Sequence, residues 1–419
     1  MPEPGRSVPA LGSVRAASAR WLRQTAGVVA AGIAAATWLA GCSGTFNTGD
    51  LFPSTAPPPA TASVPPPEPT LGAGGVKVGL ILPLTATGNA GAAGQAMRNS
   101  ADLALAEFSG PNVQLLIKDD SGTTQGAQVA TQQAIEEGAE IILGPLFAHS
   151  VTAARQITRA RGVPIIAFST DTNVASSGVY LLSFLPESDV DRIVSYAISQ
   201  GKRSFVAMLP SNAYGSVVEA EFKQAVARKG GRVMALEHYQ GDRSQIGGAA
   251  KLIAQAASAG RADALFIPDG GEAVADVINA LTATGINLRQ FTLLGTQLWD
   301  DPKIFSNSAL EGGWYPAPDP AGFRAFAERY RARYRQDPPR PAALSYDAVA
   351  LVAALVKTQG PNRFSSEVLT NPSGFAGIDG VFRFRPDGTS QRGLAILKVT
   401  PSGGQVIAPA SRTFNSSAI

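Results

Sequence analysis

From Val76 onward the chain alternates short apolar runs with helical patterns almost without a break. "VKVGLILPL" is β-branched, apolar and closed by a turn, the pattern of a buried strand. In the next run, "AGQAMRNSADLALAEF", Met97, Ala101, Leu105 and Phe108 share one helical face. "VQLLIKDD" and "QGAQVATQQAIEEG" repeat the pair, with Gly138 placed to end the helix. "EIILGPL", "VPIIAFST" and "VYLLSFLP" carry the alternation on, and a second series runs from "DRIVSYAISQG" to "FTLLGTQ". Strands joined by helices lie parallel and need cover on both faces, so this is an α/β chain of parallel sheets flanked by helices. Its length calls for two lobes. Ligands of such sheets sit beyond the carboxyl ends of the strands, which directs attention to loops 83–94, 119–124, 144–150, 168–173, 209–215, 268–271 and 295–300. The final stretch breaks the rhythm: two helical runs precede "GIDGVFRFRPDG", where Phe382 and Phe384 alternate with Arg383 and Arg385 before an Asp387-Gly388 turn.

The front of the chain is of another kind. Cys42 is the single cysteine, which forbids an internal disulfide and is a poor basis for a metal site. Before it, Arg6, Arg15, Arg20 and Arg23 lead into "AGVVAAGIAAATWLA", too short to span a bilayer comfortably and suited to a secretory signal. Leu39-Ala40-Gly41-Cys42 resembles a bacterial lipobox. The resemblance implies a signal peptide over 1–41, lipidation of Cys42 and a membrane contact through the lipid alone. Ser43, in place of an aspartate, favours the outer membrane by the same likeness. "STAPPPATASVPPPEPTLGAGG" cannot bury a core, so 42–75 is the lipidated cysteine with a Pro-rich tether, and 76–408 is the folded body. The net charge of +3 and pI of 9.0 suggest a polyanionic partner. The leader's four arginines against Glu3 account for all of that excess, so the rest of the chain is neutral and nucleic acid is not an expected partner.

Catalytic patterns are missing. Gly88, Gly91 and Gly94 follow the first strand as GxxGxxG rather than GxGxxG, and no Walker lysine is present, so no nucleotide cofactor is expected. The plainer use of those glycines is a turn whose helix offers free N–H groups to an anion. His149 and His238 lie near no G-x-S-x-G elbow; His149 reads as a partly exposed first-turn residue and His238 as a strand end. Two histidines and one cysteine do not make a metal cluster. In Asp119-Asp120, one aspartate is expected to cap the following helix. Arg324, Arg329, Arg331, Arg333 and Arg335 beside Tyr330 and Tyr334 read as a solvated helix face, with a docked partner as the other use. The chain is not expected to be an enzyme.

Four stretches, "VKVGLILPLTATG", "IKDDSGTTQGA" with "IILGPLFAHS", "LPSNAYG" and "GIDGVFRFRPDG", resemble the type I periplasmic binding protein fold, specifically its leucine/isoleucine/valine-binding-like family. The resemblance implies two α/β lobes joined by three crossings that close on a ligand. Lobe one falls at about 76–185 and 310–375, lobe two at about 186–309 and 376–408. In amino acid-binding relatives the first lobe holds the α-carboxylate, which here implicates Phe147, Ala148 and Ser150 with Ser169, Thr170 and Thr172. The second lobe implicates Tyr214 and, for the amine, the position of Gln297. Two departures stand out: Ala148 falls where a serine is usual, with Ser150 as its stand-in, and Gln297 falls where a glutamate is usual. A buried ammonium without a charge partner is costly, and Asp269 or Asp171 are the substitutes. The functional expectation is a periplasmic solute-binding lipoprotein that delivers a small polar, amino acid-like ligand to an ABC permease. The lipobox, tether and altered site also resemble the penicillin-binding protein activators, which implies the alternative of docking to a cell-wall synthase.

Overall fold

The structure is a computed structural model that describes residues 70–240 and 243–414. The leader, Cys42 and the tether up to residue 69 lie outside the described residues. Five runs predicted as strands form β1 (Thr70–Leu71), β2 (Val76–Leu82), β3 (Val113–Asp119), β4 (Ile141–Leu143), β5 (Ile165–Ala167) and β6 (Val179–Leu181), β1 being an added edge. They make one sheet in the order β1-β3-β2-β4-β5-β6, parallel except for β1. The helices between them, α1 (Asn89–Glu107), α2 (Thr124–Glu136) and α3 (Ala148–Arg159), cover it. Met97, Ala101 and Leu105 of α1 are buried on one face, while Ala130 and Ala134 of α2 and Val151 and Ala154 of α3 close the other.

After α4 (Pro186–Ser199) the second series gives β7 (Ser204–Pro210), α5 (Ala213–Arg228), β8 (Arg232–Tyr239), α6 (Arg243–Gly260), β9 (Ala264–Phe266), α7 (Gly271–Ala283), β10 (Thr292–Leu294), α8 (Pro302–Phe305) and β11 (Trp314–Ala317). The chain then returns to lobe one for α9 (Pro320–Tyr334), α10 (Ala342–Thr358) and α11 (Ser366–Leu369). A small sheet follows there, of β12 (Phe375–Gly377), β13 (Gly380–Phe384) and β14 (Ser390–Arg392). Last come β15 (Ala395–Thr400) and β16 (Gly403–Ala408). The second large sheet has the order β16-β15-β11-β10-β9-β7-β8, parallel from β8 to β11 and antiparallel at the β15 and β16 margin.

Both boundaries placed at the returns need correction. Trp314–Ala317 pairs with Leu294 and with Ala395–Lys398, so lobe two extends to about residue 317 rather than 309. Phe382 and Phe384 of β13 are buried with Leu80, Phe168 and Val352, so lobe one keeps the chain to about residue 392 rather than 375. A strand edge and an apolar face decide each point, and neither is visible as a break in local pattern.

The arginine face of α9 is solvated as expected, with Arg324, Arg331, Arg333 and Arg335 exposed, and it also carries ion pairs. Arg329 pairs with Glu107 and Arg333 with Asp102 of α1, while Arg331 pairs with Asp337. Tyr334 donates to Asp102 at 2.7 Å and Asn99 donates to the Tyr330 hydroxyl at 3.2 Å. Two of the five arginines, Arg329 and Arg333, therefore fasten α9 onto α1.

Among the described residues no helix is long and apolar enough to cross a membrane. In lobe two, Phe222 stacks on Phe266 with centroids 4.6 Å apart and meets Phe205 edge-on at 5.9 Å, all three fully buried. Phe222→Ala is expected to cost about 3–5 kcal/mol in chemical denaturation, since it deletes a ring that its neighbours cannot replace.

Candidate functional site

The carboxyl ends of β2, β3 and β4 build the first wall. Asp119 closes β3 and accepts from Thr85 Oγ1 at 2.5 Å and from the Ser121 N–H at 2.8 Å. Burial raises its carboxyl, but those hydrogen bonds outweigh that and hold it below the usual range. Asp120 is fully buried, accepts from the Gly122 N–H at 2.9 Å and is raised by its burial. Neither aspartate caps α2. Thr123 does, accepting from the Gly126 N–H at 2.9 Å, because the helix begins one residue after it. The expected aspartate cap is thus replaced by a threonine, and the two aspartates fold over the turn before it.

A hollow of about 300 Å³ opens here, lined by Thr87, Ala90, Ser121, Gly122, Phe147 and His149 among others. Phe147 and His149 stack with centroids 5.7 Å apart and planes within 7°. His149 Nε2 lies 3.0 Å from the Gly122 carbonyl oxygen. The helices behind the hollow, α1 and α3, start at Gly88 and Phe147 with no side-chain cap, which leaves first-turn N–H groups open to an anion. The glycine spacing also finds its cause: a Cβ on Gly91 would stand 2.0 Å from the Ala86 carbonyl oxygen, and one on Gly94 2.8 Å from that of Pro83. The first turns of α1 press on the preceding loop, which only glycine allows.

Ala148 is half-buried in the first turn of α3. Ser150 is no stand-in for a serine there: it is fully buried, and its hydroxyl turns to the Thr123 carbonyl at 3.5 Å, away from the hollow. In the loop after β5, Ser169 is buried and accepts from the Asp171 N–H at 3.1 Å, while Thr170 is exposed. Asp171 caps its own short turn, accepting from the Asn173 N–H at 3.0 Å, so it is spent locally. Thr172 Oγ1 donates to Glu187 Oε1 at 2.9 Å and so joins the first wall to the start of α4.

The second wall gathers residues from four loops. The Tyr214 hydroxyl is 2.9 Å from Thr296 Oγ1, and burial raises the phenol. Tyr239 donates to Asp269 Oδ2 at 2.8 Å while the Gly270 N–H donates to its other oxygen at 2.8 Å. Buried Trp299 anchors the loop by donating to the Ile267 carbonyl at 3.1 Å, which leaves Leu298 46% exposed toward solvent. The Gln297 N–H donates to Asp189 Oδ2 at 3.0 Å, and burial pushes the Asp189 carboxyl up to about 7. Gln297 Oε1 and Glu187 Oε2 are buried and accept from no described residue. Sequence reasoning missed Glu187 and Asp189. Their signal was two acids in the first turn of a helix, which ordinarily marks a dipole partner and nothing more.

The balance of charge is one-sided. The loops at 83–88, 119–124, 144–150, 168–173, 209–215, 268–271 and 295–300 carry Asp119, Asp120, Asp171, Asp269 and Asp300 but no Lys or Arg. Glu187 and Asp189 add two acids, though Glu187 also borders a second hollow lined by Arg192, Arg228, Arg383, Arg385 and Arg392.

A family model described as periplasmic binding protein matches residues 75–405. The fold is similar to an ABC transporter substrate-binding protein of Sphaerobacter thermophilus: TM-score 0.63, 22% identity, 81% of this chain and 98% of that one. It is also similar to such a protein of Desulfitobacterium hafniense in complex with Leu: TM-score 0.58, 18% identity, 79% and 99% covered. A solute-binding protein of R. palustris in complex with benzoate gives TM-score 0.55 and 20% identity, with 83% and 99% covered. Identities this low concern the fold alone. Among curated proteins, an uncharacterised one of Rickettsia prowazekii (strain Madrid E) is 22% identical over 121 residues, spanning 29% of this chain and 32% of that protein's length.

Asp189 gives a pH signature. Its carboxyl keeps a proton in the fold up to about pH 7, whereas in the unfolded chain it loses it near pH 4. Its contribution to stability is therefore complete below about pH 4 and is lost as pH rises through about 7. Asp189→Asn should leave stability at pH 4 nearly unchanged and raise it at pH 8 by ~2–4 kcal/mol in urea unfolding. Asp347, also pushed up to about 7 by burial, adds a slope of the same sign that this variant leaves in place.

Proposed function

The chain belongs to the periplasmic binding protein family, and from that premise we propose that it is an extracytoplasmic solute-binding lipoprotein that hands an amino acid-like ligand to an ABC permease. The observation that carries this reading is that Gln297 Oε1 and Glu187 Oε2, beside Asp189, are buried with no described donor, while the strand-end loops supply no Lys or Arg. An ammonium group supplies the missing donors. Such a buried charge needs a partner, and Asp189 with Glu187 supplies one where Gln297 has replaced the usual acid. The uncapped start of α3 suits the ligand's carboxylate. Leu298 and the ring of Phe147 offer apolar contact to a side chain between these poles.

Lipidation of Cys42 and a long tether complete the proposal: the body works at a distance from the membrane that holds it. The role is binding, with no bond made or broken. Ligands bound by structural neighbours include Leu and benzoate, so amine and aromatic acid are the two chemistries to separate.

A thermal-shift screen of the purified protein against amino acids, amines and small carboxylates makes that separation. A ligand at 100 times its Kd adds about 2.7 kcal/mol of stability. Amino acids are expected to shift the transition, with the shift lost in Tyr214→Ala and reduced at least tenfold in affinity by Asp189→Asn. A shift produced by carboxylates lacking an amine, and by no amine, would sink the amine reading. No shift across the library would turn the cleft into a docking surface and revive the cell-wall alternative.

A further inference from the structure

Three stretches of chain pass between the lobes, near residues 182–185, 318–319 and 393–394, and side chains beside all three meet in one cluster. Phe184 belongs to the first crossing. Phe323 lies in the first turn of α9, just past the second, and Arg392 ends β14 at the edge of the third. The Arg340 guanidinium stands 4.4 Å from the centroid of Phe323 and 5.6 Å from that of Phe184. Arg392 stands 4.8 Å from the same Phe184 ring and 5.5 Å from Phe382. Rings and cations therefore alternate in the order Phe323, Arg340, Phe184, Arg392, Phe382.

Two buried carboxylates balance the cations. Arg340 donates to Asp379 Oδ1 at 2.7 Å, and Asp347 Oδ1 accepts from the Ile378 N–H at 2.7 Å. Arg392 is 7% exposed, yet none of its three guanidinium nitrogens has a hydrogen-bond partner among the described residues. The second oxygens of Asp347 and Asp379 have none either. Arg392 is thus kept in place by the charge of these two aspartates and by two ring faces. That is an unusual way to hold a buried guanidinium, since fixed side chains ordinarily satisfy each donor.

The difference matters for movement. A hydrogen bond weakens steeply when its angle turns, whereas a cation over a ring face keeps its attraction through small shifts. A joint built from stacked rings and guanidinium groups lets the strands turn without unmaking contacts, and the desolvated charges resist being drawn apart. We propose that the Phe323–Arg340–Phe184–Arg392–Phe382 stack is the pivot of the two lobes, with Phe184 clasped between two cations as the element that sets their angle. It acts through the backbone and touches no ligand, so it does not depend on what the cleft binds.

The test is the distance between lobes. Spin labels at Val129→Cys in α2 and Leu252→Cys in α6, both exposed, report on opposite lobes in a full chain carrying Cys42→Ala. Pulsed electron resonance on the unliganded protein is expected to give one distance distribution, and Phe184→Leu and Arg392→Met are each expected to widen it about twofold or shift its centre. Arg385→Met, on the exposed end of the same hairpin, should leave it unchanged. Circular dichroism checks that each variant folds. Phe184→Leu keeps an apolar side chain and leaves Arg340, Arg392 and both aspartates in place while removing the ring, so it decides the matter alone where Arg392→Met does not fold. A folded Phe184→Leu with the parental width and centre overturns the proposal, as does an equal change in Arg385→Met.

Discussion

A parallel strand can be followed by another only if the chain returns along a covering helix, and the rest of this molecule follows from that constraint. Each return places its turn at the same edge of the sheet. Loops far apart in sequence are thereby stacked along one edge, and two such edges form the walls of the cleft. Five of the six first-lobe strands and five of the seven in lobe two lie parallel, and among them β6 follows β5 through only a short 3-10 turn. The exceptions, β1, β15 and β16, lie at sheet margins, where antiparallel pairing needs no covering helix.

The walls that result are polar in an uneven way. Most of their hydrogen bonds run inward: Asp119 to its turn, Ser150 to the loop beneath, Asp171 to its own cap, Tyr239 to Asp269. These bonds stiffen the loops and leave few groups to face a solute. Behind the second wall lies a set of buried acceptors, and Asp189 is held there at a cost, since burial alone makes its charged form unfavourable near neutral pH. A fold retains such a group when the group has work to do, and a bound cation would repay the penalty.

Much of the architecture was legible in the sequence. The period of the apolar residues marked the strands and helices, Gly138 marked a helix end with its φ of +95°, and the turn at Asp387-Gly388 is present with Gly388 at +87°. These features depend on neighbours a few residues away. The serine question was not legible in that way: Ser150 lies two residues from Ala148, and two helical positions, about 200° of turn, carry it to the core. The pairings of the α9 arginines were equally opaque, because the acids that claim two of them sit on α1, more than two hundred residues earlier.

By itself the sequence determined the type and order of the elements and the division into two lobes, because periodicity and turn chemistry are local. Only the tertiary structure decided where the lobes exchange chain and which residues meet. Gln297 finds Asp189 across 108 positions, and Arg392 finds Phe184 from the far end of the chain. No local pattern encodes those pairings. They follow from two sheets packing with buried charge that must be met by some partner, and the partner is whichever group the fold brings within reach.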